Sequence, residues 1–446
     1  MDTVHSRSLL LLRRFTSPSA RLFGVLFALT AFFLLEGAPT HADQSRDEPL
    51  PARPVAIEVD MQERAHYRLA IPSVIGGEGA STVTDVLRND MKLGGEVLLV
   101  APADFPDSDL RSLQIKRGLW TDRGIQGVIK GELKGSGNQL TLELRFYEVG
   151  KKESESLKEV YRGPASGLRD FAHRFSNEVL RVITGTPGAF DTELLFARRL
   201  GPGRKDVMRM DYDGARLRRV SPNHGISLLP AWGARGIWFS RLTDLAMFIT
   251  NSAEEGRAVL ESEGLNMGAV ECNGRLYFTS TRDGNSEIYS SSLRGDNIQR
   301  LTHHPAIDVS PTCGPHGEIA FVSSRHGSPQ IFLMNGDGSN QRRITYRGSH
   351  NQTPAFCPDP AQSLIAFTGR DGGLDIFTLD LKTKVYTRLT QGQGANKDPT
   401  FSPDCRMIAF HSSRGGGGIY VTNQDGLNQH RVLSGHAETL RWSPRR

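Results

Sequence analysis

A phenylalanine closes a short apolar run six times in this 446-residue chain, at Phe196, Phe239, Phe278, Phe321, Phe367 and Phe410, with spacings of 43, 39, 43, 46 and 43 residues. An arginine follows each one, at Arg198, Arg241, Arg282, Arg325, Arg370 and Arg414. In the later copies a tight turn comes next (Asp283-Gly284, His326-Gly327, Asp371-Gly372, Gly415-Gly416), then an apolar–aromatic pair beginning at Ile288, Ile331, Ile376 and Ile419. The Arg-Leu/Ile-Thr triplets at Arg300, Arg343 and Arg388 follow, and then a loop that enters Ser-Pro, Thr-Pro or Asp-Pro at Ser310, Thr353 and Asp398. Each unit therefore holds about four short segments separated by turns. A period of roughly 40–45 residues with four strands is that of a β-propeller. Helix-pair solenoids share the period, but here turns come every roughly 8–12 residues and the segments are β-branched or aromatic. One blade cannot bury both of its faces, so blades must stack around a channel.

Six anchors predict six blades over residues 192–446. The first unit begins at Glu193 with no inner strand, and the chain later supplies Trp442-Ser443-Pro444 in the missing pattern. The last strand is thus expected to complete the first blade and close the ring, which removes free sheet edges.

The front half reads differently. Residues 43–54 are polar and Pro-rich, a mobile tail, and residues 55–187 read as a small α/β domain. Its elements are a strand at 55–59, a strand at 67–76, a capped helix from Ser81, a strand at 96–101 and a helix over 110–120. A hairpin turning at Gly135 to Asn138 and an amphipathic helix with Leu168, Phe171, Phe175, Val179 and Val182 on one face complete it. Ahead of all this, arginines up to Arg21 precede a 14-residue apolar run at 22–35 and a small-residue site at Thr40 and Ala42. That order predicts a cleaved signal peptide at 1–42, with export to the periplasm and no membrane span after cleavage. A retained anchor would need about 20 apolar residues. The net charge of +5 includes +2 from the first 42 residues, too mild a balance to point to nucleic acid. Cys272, Cys313, Cys357 and Cys405 fall about one per unit and carry no zinc spacing. They are expected as buried free thiols, with one bridge between neighbouring units as the alternative.

The joint between the halves carries a resemblance. Ala172-His173-Arg174, Thr184-Gly185 and Gly188-Ala189-Phe190-Asp191-Thr192 resemble the helix-and-linker motif of the TolB family, the propeller proteins of the periplasmic Tol–Pal system. The blade at 321–345 resembles that family's repeat. Cys313, Val270, Phe356 and Phe401 stand where the family has Trp, and the second blade lacks the Asp-Gly turn. The resemblance implies an adaptor that binds a Pal-type peptidoglycan-associated lipoprotein and a TolA-like inner-membrane protein, in support of envelope integrity and constriction at division.

No catalytic constellation emerges. A Gly-x-Ser-x-Gly elbow, a Walker loop and a His-Glu-x-x-His motif are all missing from the sequence. The Asp211–Gly214 and Asn335–Gly338 stretches lack the further ligands of a calcium loop and read as turns. His303 and His304 would point to opposite faces of a strand and chelate poorly. No enzyme activity, cofactor or metal is therefore expected; an exported hydrolase or lyase, or a glycan-sensing propeller, is the alternative. Arg282, Arg325 and Arg414 are expected to bond nearby turns. The loops ahead of each Ser-Pro-type strand vary most between copies, so they are expected on one face and in contact with a partner. They carry His224, His304, Asp308, His350, Asn351, Asn396, Lys397, His436 and Glu438. By the family resemblance, Val55, Ile57, Glu58, Val59 and Asp60 would form a strand offered to TolA.

Overall fold

The structure, a computed structural model, describes residues 56–57, 67–151 and 155–445 apart from positions 245 and 263. The signal segment and tail lie outside the described residues.

The α/β domain is a sheet with two helices on one face. Its strands are β2 (Tyr67–Ala70), β3 (Ile75–Gly76), β4 (Val97–Leu99), β5 (Gly127–Ser136), β6 (Gln139–Glu148) and β7 (Leu157–Gly163). They run in the order β4-β2-β5-β6-β7, with β3 also on β5. The long β5–β6 hairpin turns where Gly135 and Gly137 take positive φ. Helices α1 (Ala80–Gly94) and α3 (Leu168–Thr184) pack together on it. The expected α3 face holds: Leu168, Phe175 and Val179 are buried, with Phe171 and Val182 packed beside them. The α1 start is set by left-handed Gly79, with no side-chain cap, rather than by Ser81.

The helix expected over 110–120 is corrected to a single turn, α2 (Arg117–Thr121). The reason is a buried ammonium. Lys130 Nζ, from β5, donates to the carbonyls of Asp109 (2.5 Å), Ser112 (2.9 Å) and Gln114 (2.5 Å), and pairs with the Asp109 carboxylate at 3.2 Å. Those carbonyls must turn inward around the cation, which a helix forbids, because its carbonyls point along its axis. Trp120 Nε1 donates to the same carboxylate at 2.6 Å.

Six four-stranded blades form the rest. Strands A to D run from the channel outward. In blade 4 they are Asp308–Cys313, Ile319–Ser323, Gln330–Met334 and Arg342–Arg343. Blade 1 takes its strand A from the end of the chain: Ala437–Trp442 pairs antiparallel with strand B, Glu193–Gly201. Trp442 stacks on Tyr212 and its Nε1 donates to Thr192 Oγ1 at 2.7 Å. The ring closes as expected, and the degenerate second blade still forms four strands.

The motifs explain themselves in the packing. The Phe anchors are core residues between blades. Arg325 lies over Phe321 and Phe332 and reaches back to Asp308 at 2.8 Å; Arg282 and Arg414 stack in the same way on their own aromatic pairs. The Thr of the Arg-Leu/Ile-Thr triplet is an inter-strand clip. Thr345 Oγ1 accepts from Ile331 N–H and donates to Gln330 Oε1, which also accepts from Asn351 at the start of the next blade. Thr390, Asp375 and Asn396 repeat that relay between blades 5 and 6.

Each inner strand also carries one residue at positive φ: Leu229, Gly268, Ser310, Thr353, Asp398 and Thr439. The A–B register shifts at each of these positions. The bulge turns an amide sideways to the preceding blade, as where Gly268, Ser310 and Asp398 donate to Ser240, Thr279 and Thr368 hydroxyls at 3.0–3.2 Å.

The cysteine expectation is corrected. Two disulfides are present, Cys272–Cys313 and Cys357–Cys405, joining blades 3 to 4 and 5 to 6. The cysteines stand at the ends of neighbouring inner strands or in the following turn, which brings their Cα atoms to 5.6 and 5.4 Å.

Candidate partner face and the joint behind it

Antiparallel blades put the A–B and C–D turns on one face of the ring and the B–C turns and D–A loops on the other. The α/β domain occupies the first face. Asn428, beyond the C–D turn of blade 6, donates to the Lys92 carbonyl at 2.6 Å, and Arg406, in its A–B turn, donates to Thr184 and Thr186 at 2.6 Å each. A single apolar cluster runs through this contact, from Leu180 and Phe190 to Met407, Val421, Leu440 and Trp442. The D–A loops with the nine candidate residues therefore lie on the opposite face.

These nine divide into two sets. His224 and His436 are exposed, and His304, His350, Lys397 and Glu438 are half-buried. Asp308, Asn351 and Asn396 are buried, at 0–1% exposure. As the first residues of their inner strands they hold the loops from beneath: Asp308 through Arg325, Asn351 through Gln330 and Arg347, Asn396 through Asp375. Their place as surface contacts is corrected to a supporting one, because a strand-entry residue between two blades has no path to solvent. Burial raises the Asp308 pKa, with Arg325 opposing.

At the seam between blades 6 and 1 the loop residues join a polar cluster that the sequence reading did not single out. His411, 7% exposed, lies 5.1 Å from the His436 ring, and its Nε2 has no hydrogen-bond partner among the described residues. Burial, with help from His436 and Lys397, lowers its pKa to about 4. Lys205 pairs with Glu438, and the Asp398 carboxylate accepts from Thr439 N–H at 2.9 Å. Burial raises the Asp398 pKa and lowers that of Arg441 nearby. A signal existed: the residue after the Phe anchor is Ala197, Ser240, Thr279, Val322 or Thr368 in the other blades, and His411 breaks that series.

The N-terminal segment is displaced from its expected sheet. Strand β1 (Ala56–Ile57) pairs parallel with Tyr386 and Thr387 in strand D of blade 5, as a fifth strand on the propeller rather than an edge of the α/β domain. Val55, Glu58, Val59 and Asp60 lie outside the described residues.

Behind the ring, the joint buries charge. Asp90 of α1 is inaccessible; it accepts from His173 Nδ1 at 2.9 Å and from the Tyr212 hydroxyl at 2.8 Å. Burial raises the Asp90 pKa, while His173 works against it. Asp211 and Asp213, around the C–D turn of blade 1, meet Arg216 and Arg169 at 2.7 and 2.5 Å. Among the described residues no helix is long and apolar enough to cross a membrane.

Comparison with known proteins agrees with this architecture. The model of the TolB amino-terminal domain matches residues 55–154, and that of the TolB β-propeller domain matches 180–360 and 349–446. A Tol-Pal system protein TolB of Desulfosudis oleivorans is 35% identical over 41% of this chain and 43% of its own length. One of Anaeromyxobacter dehalogenans is 32% identical over 53% and 56%. The matches thus span about half the length of these relatives. The crystal structure of TolB from Acinetobacter baumannii superposes with a TM-score of 0.75 at 24% identity, covering 85% of this chain and 97% of that one, a likeness of fold. With both halves matched in order and the ring closed by its last strand, this chain belongs to the TolB family.

Proposed function

We propose that this chain is a periplasmic adaptor of the Tol–Pal system, exported by removal of residues 1–42 and acting without catalysis. Its D–A face takes a Pal-type lipoprotein and its N-terminal segment takes a TolA-like inner-membrane protein, in support of outer-membrane integrity and constriction at division. One observation carries the reading: among the described residues the α/β domain covers one face of the ring, and nothing covers the other, which carries the variable loops and the His411–His436 pair. Rigid scaffolds commonly present recognition on such loops. The pairing of Ala56–Ile57 with an outer blade edge supports the second contact, since a strand held by few backbone bonds can exchange to another sheet.

The test uses the mature chain and the soluble domain of a Pal-type lipoprotein. Combined His304→Ala, His350→Ala and His436→Ala substitution is expected to weaken binding at least tenfold with little change in Tm, because these side chains are exposed or half-buried. Unchanged affinity would move the site off this face.

A further inference from the structure

The joint holds a group of side chains that its ion pairs do not exhaust. His173 is 1% exposed and Asp211 2%, yet among the described residues His173 Nε2 and Asp211 Oδ1 have no hydrogen-bond partner. Buried polar atoms seldom remain unmatched. One ligating atom from each of His173, Asp211 and Asp213 lies within 4.8 Å of the other two.

The imidazole is oriented as a metal ligand's ring is. Its Nδ1 meets the Asp90 carboxylate, at 2.9 and 3.0 Å to the two oxygens, which leaves Nε2 for the cluster with Asp211 and Asp213. A carboxylate behind the ring is the usual support for a ligating histidine. Asp90 is itself fixed by the Tyr212 hydroxyl at 2.8 Å. The charge balance agrees. Asp90, Asp170, Asp211 and Asp213 face Arg169 and Arg216, so the carboxylates outnumber the guanidiniums four to two. Each arginine holds one oxygen of its partner: Arg216 takes Asp211 Oδ2 and Arg169 takes Asp213 Oδ2. Asp211 Oδ1 therefore stays available, and among the described residues Asp213 Oδ1 accepts only from the Ala215 amide, at 3.2 Å.

We propose that His173, Asp211 and Asp213 bind a divalent transition-metal ion of the zinc class at the joint between the α/β domain and blade 1. One nitrogen and two carboxylate oxygens suit Zn²⁺, with water as a fourth ligand. Tetrahedral ligands about 2.1 Å from zinc stand about 3.4 Å apart, so small side-chain rotations close the set. The ion satisfies both unpartnered atoms and clamps helix α3 to the propeller.

The experiment takes the full mature chain, stripped with chelator, and titrates it with Zn²⁺ alone by calorimetry, with Tm followed in parallel. One equivalent is expected to bind and raise Tm. Asp213→Asn, which keeps the size of the side chain and an acceptor for Arg169, is expected to weaken binding at least tenfold. Asp90→Asn, which loosens the hold on the ring, is expected to weaken it roughly 10–100-fold. Because Asp90→Asn disturbs a buried network, anomalous diffraction at the zinc edge on the unmodified protein is the second measurement: a peak is expected between the three side chains. No bound zinc, undiminished binding by Asp213→Asn, or a peak only at another histidine such as His411 or His436 would each overturn the proposal.

Discussion

Blades 3 to 6 and the joint around blade 1 solve the same problem, the burial of one element against the next, with different materials. In blades 3 to 6 the seams reuse one kit: a buried Phe and a Thr clip, with an Arg stacked on aromatic rings in blades 3, 4 and 6 and a disulfide across every second seam. At the joint the seam is assembled from single-use parts: a buried Asp90–His173–Tyr212 network, a Trp donated by the far end of the chain, and helices from another domain. A repeated seam keeps its parts when one copy drifts; a unique seam depends on each member.

The largest expected effect comes from cutting the unique seam. Deletion of residues 437–446 removes strand A of blade 1 together with the buried Leu440 and Trp442. It should cost more than the about 5–15 kcal/mol that holds a domain folded, and thermal unfolding should lose its cooperative transition. A truncated chain that melts like the intact one would mean the seam is dispensable.

Next comes the stapled half. The bridges span 41 and 48 residues of sequence. Loop-closure entropy for such spans gives about 4 kcal/mol each, model-dependent. Cys357→Ser with Cys405→Ser should lower the urea midpoint, and a reductant should lower it in the intact protein but not further in a variant lacking all four thiols.

A smaller pair of substitutions compares the seams directly. Tyr212→Phe removes a donor from the buried Asp90 carboxylate and should cost about 1.5–3 kcal/mol. Thr345→Val breaks a neutral clip in the repeated seam and should cost about 1 kcal/mol. Equal losses would show that the contrast drawn between the two regions does not extend to energy.

The smallest effect concerns pH. The His411 pKa is about 4 when folded, against about 6.5 when unfolded, so the unfolded chain takes up a proton that the folded one refuses. Its contribution is complete above pH about 6.5 and is lost as pH falls toward 4; discounted for screening, the loss is about 1–2 kcal/mol. His411→Phe should flatten that part of the stability profile measured by denaturant titration.

The same contrast explains what the sequence could tell. Periodicity exposes anything that recurs, so the six blades, their strand order and the closing strand at Trp442 were legible from Phe196, Phe239 and their successors. The disulfides were hidden because pairing depends on which inner-strand ends become neighbours, and a spacing of about one cysteine per blade is compatible with free thiols as well. Residues 110–116 carried a helical pattern that the Lys130 ammonium overrides from a distant strand. In the candidate face, variability between copies located the loops but could not separate exposed His436 from buried Asn396, since both sit at loop ends, His436 just before its inner strand and Asn396 as the first residue of one. His411 and the Asp90 network depend on contacts between elements far apart in sequence.

The closing strand has one further consequence, for the order of events. A chain that emerges N-terminus first has all of blades 2 to 6 available before residues 437–442 arrive, while blade 1 waits with Glu193–Gly201 unpaired along one side. The Cys272–Cys313 link joins segments that emerge close together, so it can lock before the circle does. Maturation of the molecule is therefore timed by residues 437–442: a product that stops short of them or is clipped there keeps an open sheet edge, the mark by which proteases and chaperones distinguish an unfinished chain from a finished one.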